Sequence, residues 1–259
     1  MIFLLFFIFL FTGCYAPAGN NHTSVYNHIK VKKVIDGDTI ILSNGKHLRY
    51  IGLDTPEVRI RKRGKFIYDP QPFSLEAKKM NKKLVENKFI RVEFDVEKLD
   101  TYGRILGYCF VGDTFVNDEL IKEGLAVLYT KPPNVKYTKV FIESQEQARS
   151  LHKGLWGVYE AVPSSDAYKF INQIRRVRGR VLNTYKSRKV VYLNFGRDYK
   201  TDFTVIIFND CLKFFRVKGI EPQVFYAGKE VEVWGKIREY NGPEIIVSMP
   251  YQIKVLDEE

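Results

Sequence analysis

The sequence predicts a mainly β chain with some α: a small β-barrel packed by three helices, followed by a second, smaller β-barrel. Three observations carry this reading. Short alternating apolar runs bounded by Gly, Asp and Asn recur through residues 29–53, 89–111 and 174–248, as strands joined by tight turns do. Segments with apolar residues at helical spacing interrupt and follow the first two groups. A Pro/Ser stretch, VYEAVPSSDAY, then divides two strand-rich halves of a 259-residue chain, which is long enough for two cores.

At the amino end, MIFLLFFIFLF runs into Thr12, Gly13 and Cys14, and a polar linker continues to residue 27. The apolar run is shorter than the roughly 20 residues a spanning helix needs. It resembles a bacterial lipoprotein signal, which implies removal of residues 1–13, lipid attachment at Cys14, and a membrane-anchored protein of the cell envelope facing periplasm or exterior. No Lys or Arg precedes the run, which keeps a secreted product of an ordinary cleaved signal, and an uncleaved anchor, as alternatives.

IKVKKVI, TIILS and HLRYIGL then read as strands separated by DGD and SNG turns. The basic run RIRKRGKFIYDPQPF reads as a loop whose Arg59, Arg61, Lys62, Arg63 and Lys65 form either a phosphate-tracking lip or a solvated charge run. Ser74 to Asn87 fits an amphipathic helix with Leu75, Ala77, Met80, Leu84 and Val85 on its apolar positions. FIRVEFDVEK and RILGYCFVG form a hairpin around LDTYG. VNDELIKEGLAVLY reads as a helix behind an Asn cap, and Val140 to His152 as a third helix stopped at Gly154.

With 41 Lys and Arg against 30 Asp and Glu, a net charge of +11 and a pI near 9.4, the chain suits a polyanionic partner, nucleic acid or anionic lipid. Besides Cys14 only Cys109 and Cys211 occur, both in apolar strands and read as buried thiols. The absence of CxxC and HExxH, and the scatter of the four histidines, argue against a zinc cage or a His-activated nucleophile. Chemistry on this chain falls to oxygen ligands.

Those ligands gather in DGDT (36–39) and DTPE (54–57), with Arg49 between them and Arg104 in the later DTYGR. Asp38 and Asp54 end adjacent strand segments. Two carboxylates about 4 Å apart repel by about 4 kcal/mol at an effective dielectric near 20, which a hard divalent cation would neutralise. Taken separately, DGD is a tight turn with Gly37 at positive φ, and DTP an Asx turn. Glu57, three residues past Asp54, can reach the same pocket to hold or deprotonate a water, or be a surface charge. Arg49, mid-strand in HLRYIGL, reads by itself as an outward strand residue, and Arg104 follows the Tyr102–Gly103 turn.

With DGDT, an arginine in the next strand, DTPE, an EA-containing helix start, DxYGR and VNxxLIxxGLA in that order, residues 28–159 are similar to the staphylococcal-type thermonuclease family. The resemblance implies a five-stranded oligonucleotide/oligosaccharide-binding (OB) barrel with three helices. It also implies a Ca2+ ion held by the Asp38 and Asp54 side chains and the Thr55 carbonyl, with Asp36 contributing through water. Glu57 becomes the general base, Arg49 and Arg104 the phosphate ligands, and P–O5′ cleavage of DNA or RNA to 3′-phosphate ends the reaction. Tyr102, Tyr129, Arg61, Arg63 and Lys65 would bind substrate. Mg2+ or Mn2+ satisfies the same oxygen donors. No organic cofactor is expected, and the protein is read as a monomer. Two alternatives stay open, a module that binds nucleic acid without cutting it and an envelope scaffold; the complete set of acids and arginines favours the enzyme.

After a linker at 160–172, residues 173–259 carry strands RRVRGRVLNTYK, KVVYLNFG, DFTVIIFN, KEVEVWGKIREY and PEIIVSM, with a short helical piece before Tyr226. This succession resembles the nucleic-acid-binding OB fold appended to some thermonuclease-like proteins. Arg175, Arg176, Arg178, Arg180, Lys186, Arg188 and Lys189, interleaved with Tyr185, Tyr192 and Phe195, suit a single strand. Phe195 and Trp234 are also expected in the barrel core.

Overall fold

The structure, a computed structural model, describes residues 26–62 and 64–256. The expected leader at 1–13, the lipidation site Cys14, Arg63 and the side chains of Arg61 and Lys62 lie outside the described residues.

The first barrel is built from β1 (Tyr26–Val34), β2 (Thr39–Leu42), β3 (His47–Tyr50), β7 (Phe89–Glu93) and β8 (Ile105–Val111). Neighbours run β3-β2-β1-β7-β8, and β8 closes the barrel by pairing parallel to β3, with Arg49 opposite Leu106. The period-2 alternation buries Val31, Ile40, Leu42, Leu48, Ile90 and Val92 in one core. Between β3 and β7 lie β4 (Gly52–Asp54), a hairpin of β5 (Arg59–Lys62) and β6 (Lys65–Tyr68), and α1 (Ser74–Val85). The basic run expected as a loop is therefore a two-stranded hairpin, with Phe66 and Tyr68 exposed alongside Lys65. Helix α1 buries Ala77, Asn81 and Val85, positions four apart, whereas Leu75 faces solvent.

After the two-residue β9 (Thr114–Phe115) comes α2 (Val116–Lys122), shorter than expected, because AVLY turns away and β10 (Val127–Tyr129) pairs antiparallel with β4, Val127 opposite Asp54. Asn117 does not cap α2. It is fully buried, donates to Ile51 O at 2.9 Å and accepts from Cys109 N at 2.9 Å, tying β8 to the chain entering β4. Helices α3 (Thr138–Ser150) and α4 (Leu155–Val158) follow; Gly154, between them, stands at φ 51°. The described thiols, Cys109 and Cys211, are both free and buried.

The stretch expected as a linker is folded. Val162–Pro163 forms β11, which pairs parallel with β12 (Ile174–Arg180), and the intervening 3-10 helix Ser164–Phe170 inserts Ala167 into the second core. The chain continues through β13 (Asn183–Lys186), β14 (Val190–Asn194) and β15 (Thr204–Phe208), then α5 (Leu212–Arg216) and α6 (Pro222–Phe225). It ends in β16 (Glu230–Lys236), β17 (Arg238–Glu239), β18 (Pro243–Ile246) and β19 (Ile253–Val255). One sheet is ordered β11-β12-β16-β19 and the other β13-β14-β15-β18-β17, with β15 and β18 parallel. The first strand, expected as continuous, bends at Val181 and Leu182 and serves both sheets, which wrap a core including Val177, Leu193, Phe203, Phe215 and Val233.

A third cluster joins the halves: Val127, Ala148, Leu155 and Trp156 pack on Ile174 and Trp234. Phe195 lies in the second core as expected, but Trp234 lies in this seam, edge-on to Trp156 at 6.2 Å between centroids. The Arg149 guanidinium stands 5.1 and 4.3 Å from the two indole rings and meets Glu232 at 3.1 Å.

Candidate active site

Asp38, Arg49 and Asp54 meet where three strand ends converge on the first barrel. Arg49 lies on β3 opposite Thr39, and its Nη2 donates to Asp54 Oδ1 at 2.6 Å while its Nη1 contacts Asp38 Oδ2. One planar guanidinium thus holds two carboxylates from different strand ends. Asp38 is only 6% exposed and needs further donors. Thr39 Oγ1 supplies one at 2.9 Å, Thr55 Oγ1 another at 2.9 Å and Thr55 N a third at 3.1 Å. The two acidic motifs are therefore locked to each other through Asp38 and Thr55.

Gly37 is required for a different reason from the one the DGD turn suggests. Its φ is not in the positive range. A Cβ there would lie 2.7 Å from Thr55 Oγ1 and 2.8 Å from Ala77 Cβ, and only glycine lets the loop press between DTPE and α1. Tyr50 OH and Asn81, hydrogen-bonded at 2.9 Å, back this loop, and Asn81 Nδ2 donates to Asp36 O at 3.1 Å.

Asp36 accepts from Gly37 N at 3.0 Å. Burial first, and then the charge of Glu57, raise its carboxyl to about 6. Glu57 follows Pro56 in irregular chain, where a carbonyl and an amide would lack partners without help. Gln71 supplies both, its Oε1 accepting from Glu57 N at 3.0 Å and its backbone N donating to Glu57 O at 3.0 Å.

Arg104 directly precedes Ile105, which pairs with Leu48 beside Arg49, and the two arginines occupy neighbouring positions on the β3–β8 seam. Its guanidinium is held by Asp100, Nε to Oδ2 at 2.7 Å. The same carboxylate accepts from Tyr102 N and Arg104 N at 2.9 Å each, and Gly103 at φ 77° closes the turn. Burial pushes the Asp100 carboxyl up, but the hydrogen bonds from Arg104 outweigh it and leave it below the ordinary value.

Among the other predicted site residues, Tyr102 is 82% exposed and 5.7 Å from the Arg104 guanidinium. Tyr129 lies on β10 opposite Gly52, half-buried. Arg61 sits on the β5–β6 hairpin opposite Phe66, and Lys65 opposite Lys62. The arginines of β12 do not form the expected open basic face. Arg175 is buried against the Tyr159 and Phe170 rings, Arg176 and Arg178 reach Glu232 and Glu230, and Arg180 donates to Gly228 O. Only the start of β12 reaches the seam, through Ile174, while Arg178 and Arg180 farther along the strand are exposed. The aromatic surface lies on the other sheet, where Tyr185, Tyr192, Tyr199, Ile206, Phe208 and Tyr240 line an open groove of ≈ 660 Å³.

Sequence reasoning missed Asp100, Gln71 and Lys236. Asp100 was present in DTYGR and its turn geometry was readable there. Gln71 and Lys236 carry no local signal. Lys236, at the end of β16, meets Glu57 with Nζ to Oε1 at 2.9 Å across 179 positions of sequence.

A family model described as "Staphylococcal nuclease homologue" matches residues 47–158. The chain is 38% identical over 148 residues to a thermonuclease of Staphylococcus hyicus, covering 56% of this chain and 84% of that protein. It is 40% identical over 129 residues to a thermonuclease of Staphylococcus intermedius, 49% and 74% of the respective chains. To endonuclease YncB of Bacillus subtilis (strain 168) it is 37% identical over 145 residues, 54% of this chain and 66% of that one. With an acid-and-arginine cluster on a closed five-stranded barrel and relatives matched over most of their length, the chain belongs to the staphylococcal nuclease homologue family.

Proposed function

We propose that the chain is a Ca2+-dependent nuclease that hydrolyses P–O5′ bonds of DNA or RNA and leaves 3′-phosphate ends. Its family and its thermonuclease and endonuclease relatives make it a hydrolase of nucleic acids. The observation that carries the finer reading is the convergence of Asp38 and Asp54 on one guanidinium.

The donor set fits a hard cation. Asp38 and Asp54 offer carboxylate oxygens close enough to share Arg49, and Thr55, hydrogen-bonded to Asp38, brings its backbone beside them. Among the described residues no group of three or more His, Cys, Asp and Glu side chains is placed to hold a metal ion; the proposed ligands are the two carboxylates and the Thr55 carbonyl, with Asp36 joining through water. A bound divalent ion would supply Lewis-acid polarisation of the phosphoryl oxygen.

The chain's own residues do the rest. Glu57, held by its backbone to Gln71, accepts the proton of the attacking water, worth about 10² to 10⁴-fold for a positioned base. Arg49 binds a non-bridging phosphate oxygen and Arg104, steadied by Asp100, meets the charge growing on the same group. Tyr102, Tyr129, Arg61, Arg63 and Lys65 contact the flanking nucleotides. The tyrosine groove of the second barrel gives bases a sequence-tolerant stacking face.

Attachment through Cys14 would keep the enzyme at the cell envelope. The apolar leader ahead of Thr-Gly-Cys supports this, and among the described residues no helix is long and apolar enough to cross a membrane. Cys14→Ser should move the protein from the membrane to the soluble fraction; retention in the membrane would contradict lipidation.

The catalytic reading is tested by incubating the purified protein with single-stranded DNA, duplex DNA and RNA, in calcium and then in chelator, and analysing the product ends. Chelator-sensitive cutting to 3′-phosphates is expected. Cutting that survives chelator, or 5′-phosphate ends, would contradict it.

A further inference from the structure

We infer that Lys236 of the second barrel is a positioning residue for Glu57, and that the second barrel thereby completes the active site of the first. The inference rests on the reading of Glu57 as the group that takes the proton from water. Lys236 Nζ lies 2.9 Å from Glu57 Oε1, with the two side chains 26% and 37% exposed. Glu57 stands in irregular chain between β4 and β5, and no helix or strand ladder fixes it.

Both of its tethers lead to the second barrel. The side chain is held directly by Lys236. The backbone is held by Gln71, whose Nε2 donates to Asn172 O at 2.8 Å. Asn172 N in turn donates to Ile237 O at 2.7 Å, and Ile237 N to Gln173 O at 2.9 Å. Ile237 is the residue after Lys236. A single hydrogen-bonded step of the second barrel therefore grips Glu57 through its carboxylate and through its peptide.

The grip is rigid because the seam behind it is packed. Lys236 pairs with Ile174 at the end of the β12–β16 ladder, and Ile174 and Trp234 are buried against Trp156 and Leu155 of the first half. Tyr251 OH adds a bond to Thr130 Oγ1 at 2.9 Å, and Arg149 spans to Glu232. Held at Oε1 by the ammonium, Glu57 keeps Oε2 for the attacking water. The contact is charge-assisted, and it orients the carboxylate where a free glutamate would sample several rotamers.

The test compares wild type, Lys236→Met, Lys236→Arg, Glu57→Gln and the Glu57→Gln/Lys236→Met double variant as full chains, reading kcat and KM separately on one DNA substrate. Lys236→Met should lower kcat about tenfold with KM within about twofold, and Lys236→Arg should recover most of it. In the Glu57→Gln background Lys236→Met should cost nothing further, because the residue it positions is already disabled. Unfolding midpoints check that each variant folds; Lys236→Gln replaces Lys236→Met if the latter does not. An unchanged or raised kcat in Lys236→Met overturns the inference, the raised value marking a restraining contact. A loss in the double variant that multiplies the single losses overturns it too, by giving Lys236 a role independent of Glu57. Inactive wild type removes the nuclease reading and this inference together, whereas active wild type with indifferent Lys236 removes the inference alone.

Discussion

Arg49 donates to Asp54 at 2.6 Å with one nitrogen while its other terminal nitrogen meets Asp38, so the residue assigned to phosphate also stands as counter-ion for the acids assigned to the cation. The side chains of Arg49 and Asp38 are 16% and 8% exposed, and neither charge has water enough to stand alone. On the proposed mechanism, substrate and cation would enter as a compensated pair, with Asp38 and Asp54 passing to the cation and Arg49 turning to phosphate.

Removing that guanidinium leaves two close carboxylates without a countercharge. Arg49→Met should lose roughly 3 kcal/mol of stability in chelator, the usual scale for breaking a buried pair from one side. Calcium should restore more stability to it than to wild type, since the ion meets no competing cation. Thermal unfolding with and without calcium measures both, and an equal calcium shift in the two proteins would refute the compensation.

Asp100 carries no chemistry of its own here but fixes the Arg104 turn through three hydrogen bonds. Asp100→Asn, which keeps an acceptor and drops the charge, should lower kcat roughly tenfold, while Arg104→Lys, which loses the planar fork, should lower it by about 10² or more. The reverse order of severity would place the loss in the turn's folding and not in the arginine.

Asp36 supplies a pH signature. Its carboxyl titrates near 6 in the folded protein against an ordinary value of 3.8. The unfavourable charge is absent below about pH 4 and fully present above about pH 6, so this group's contribution to stability falls as pH rises between them. Asp36→Asn should therefore stabilise the protein at pH 7 in chelator by roughly 2 to 3 kcal/mol and change nothing at pH 4. Denaturant unfolding at the two pH values decides it; equal effects at both would remove the raised pKa.

The barrel and the acid cluster were legible because each rests on short-range rules. Alternation marked β1 to β3, and the DGDT and DTPE spacings marked residues that the structure does bring together. What was not legible depends on partners distant in sequence. AVLY has helical and strand character alike, and pairing with β4 decides for the strand. Asn117 looked like a cap because Asn favours that position, yet the buried Ile51 carbonyl and Cys109 amide claimed its side chain. The arginines of β12 and Trp234 lie on paired strands, and alternation says which face a residue is on without saying what covers that face. Lys236 shows the same limit, since nothing in WGKI points to a glutamate in the other half.

If this cluster cuts phosphodiesters with Glu57 as base, loss of that one carboxylate should slow the chemical step itself. Single-turnover cleavage of a short end-labelled DNA at saturating calcium, wild type against Glu57→Gln, tests it most directly. A rate about 10² to 10⁴-fold lower is expected for Glu57→Gln, with DNA binding and unfolding midpoint retained. Equal rates in the two proteins would contradict it.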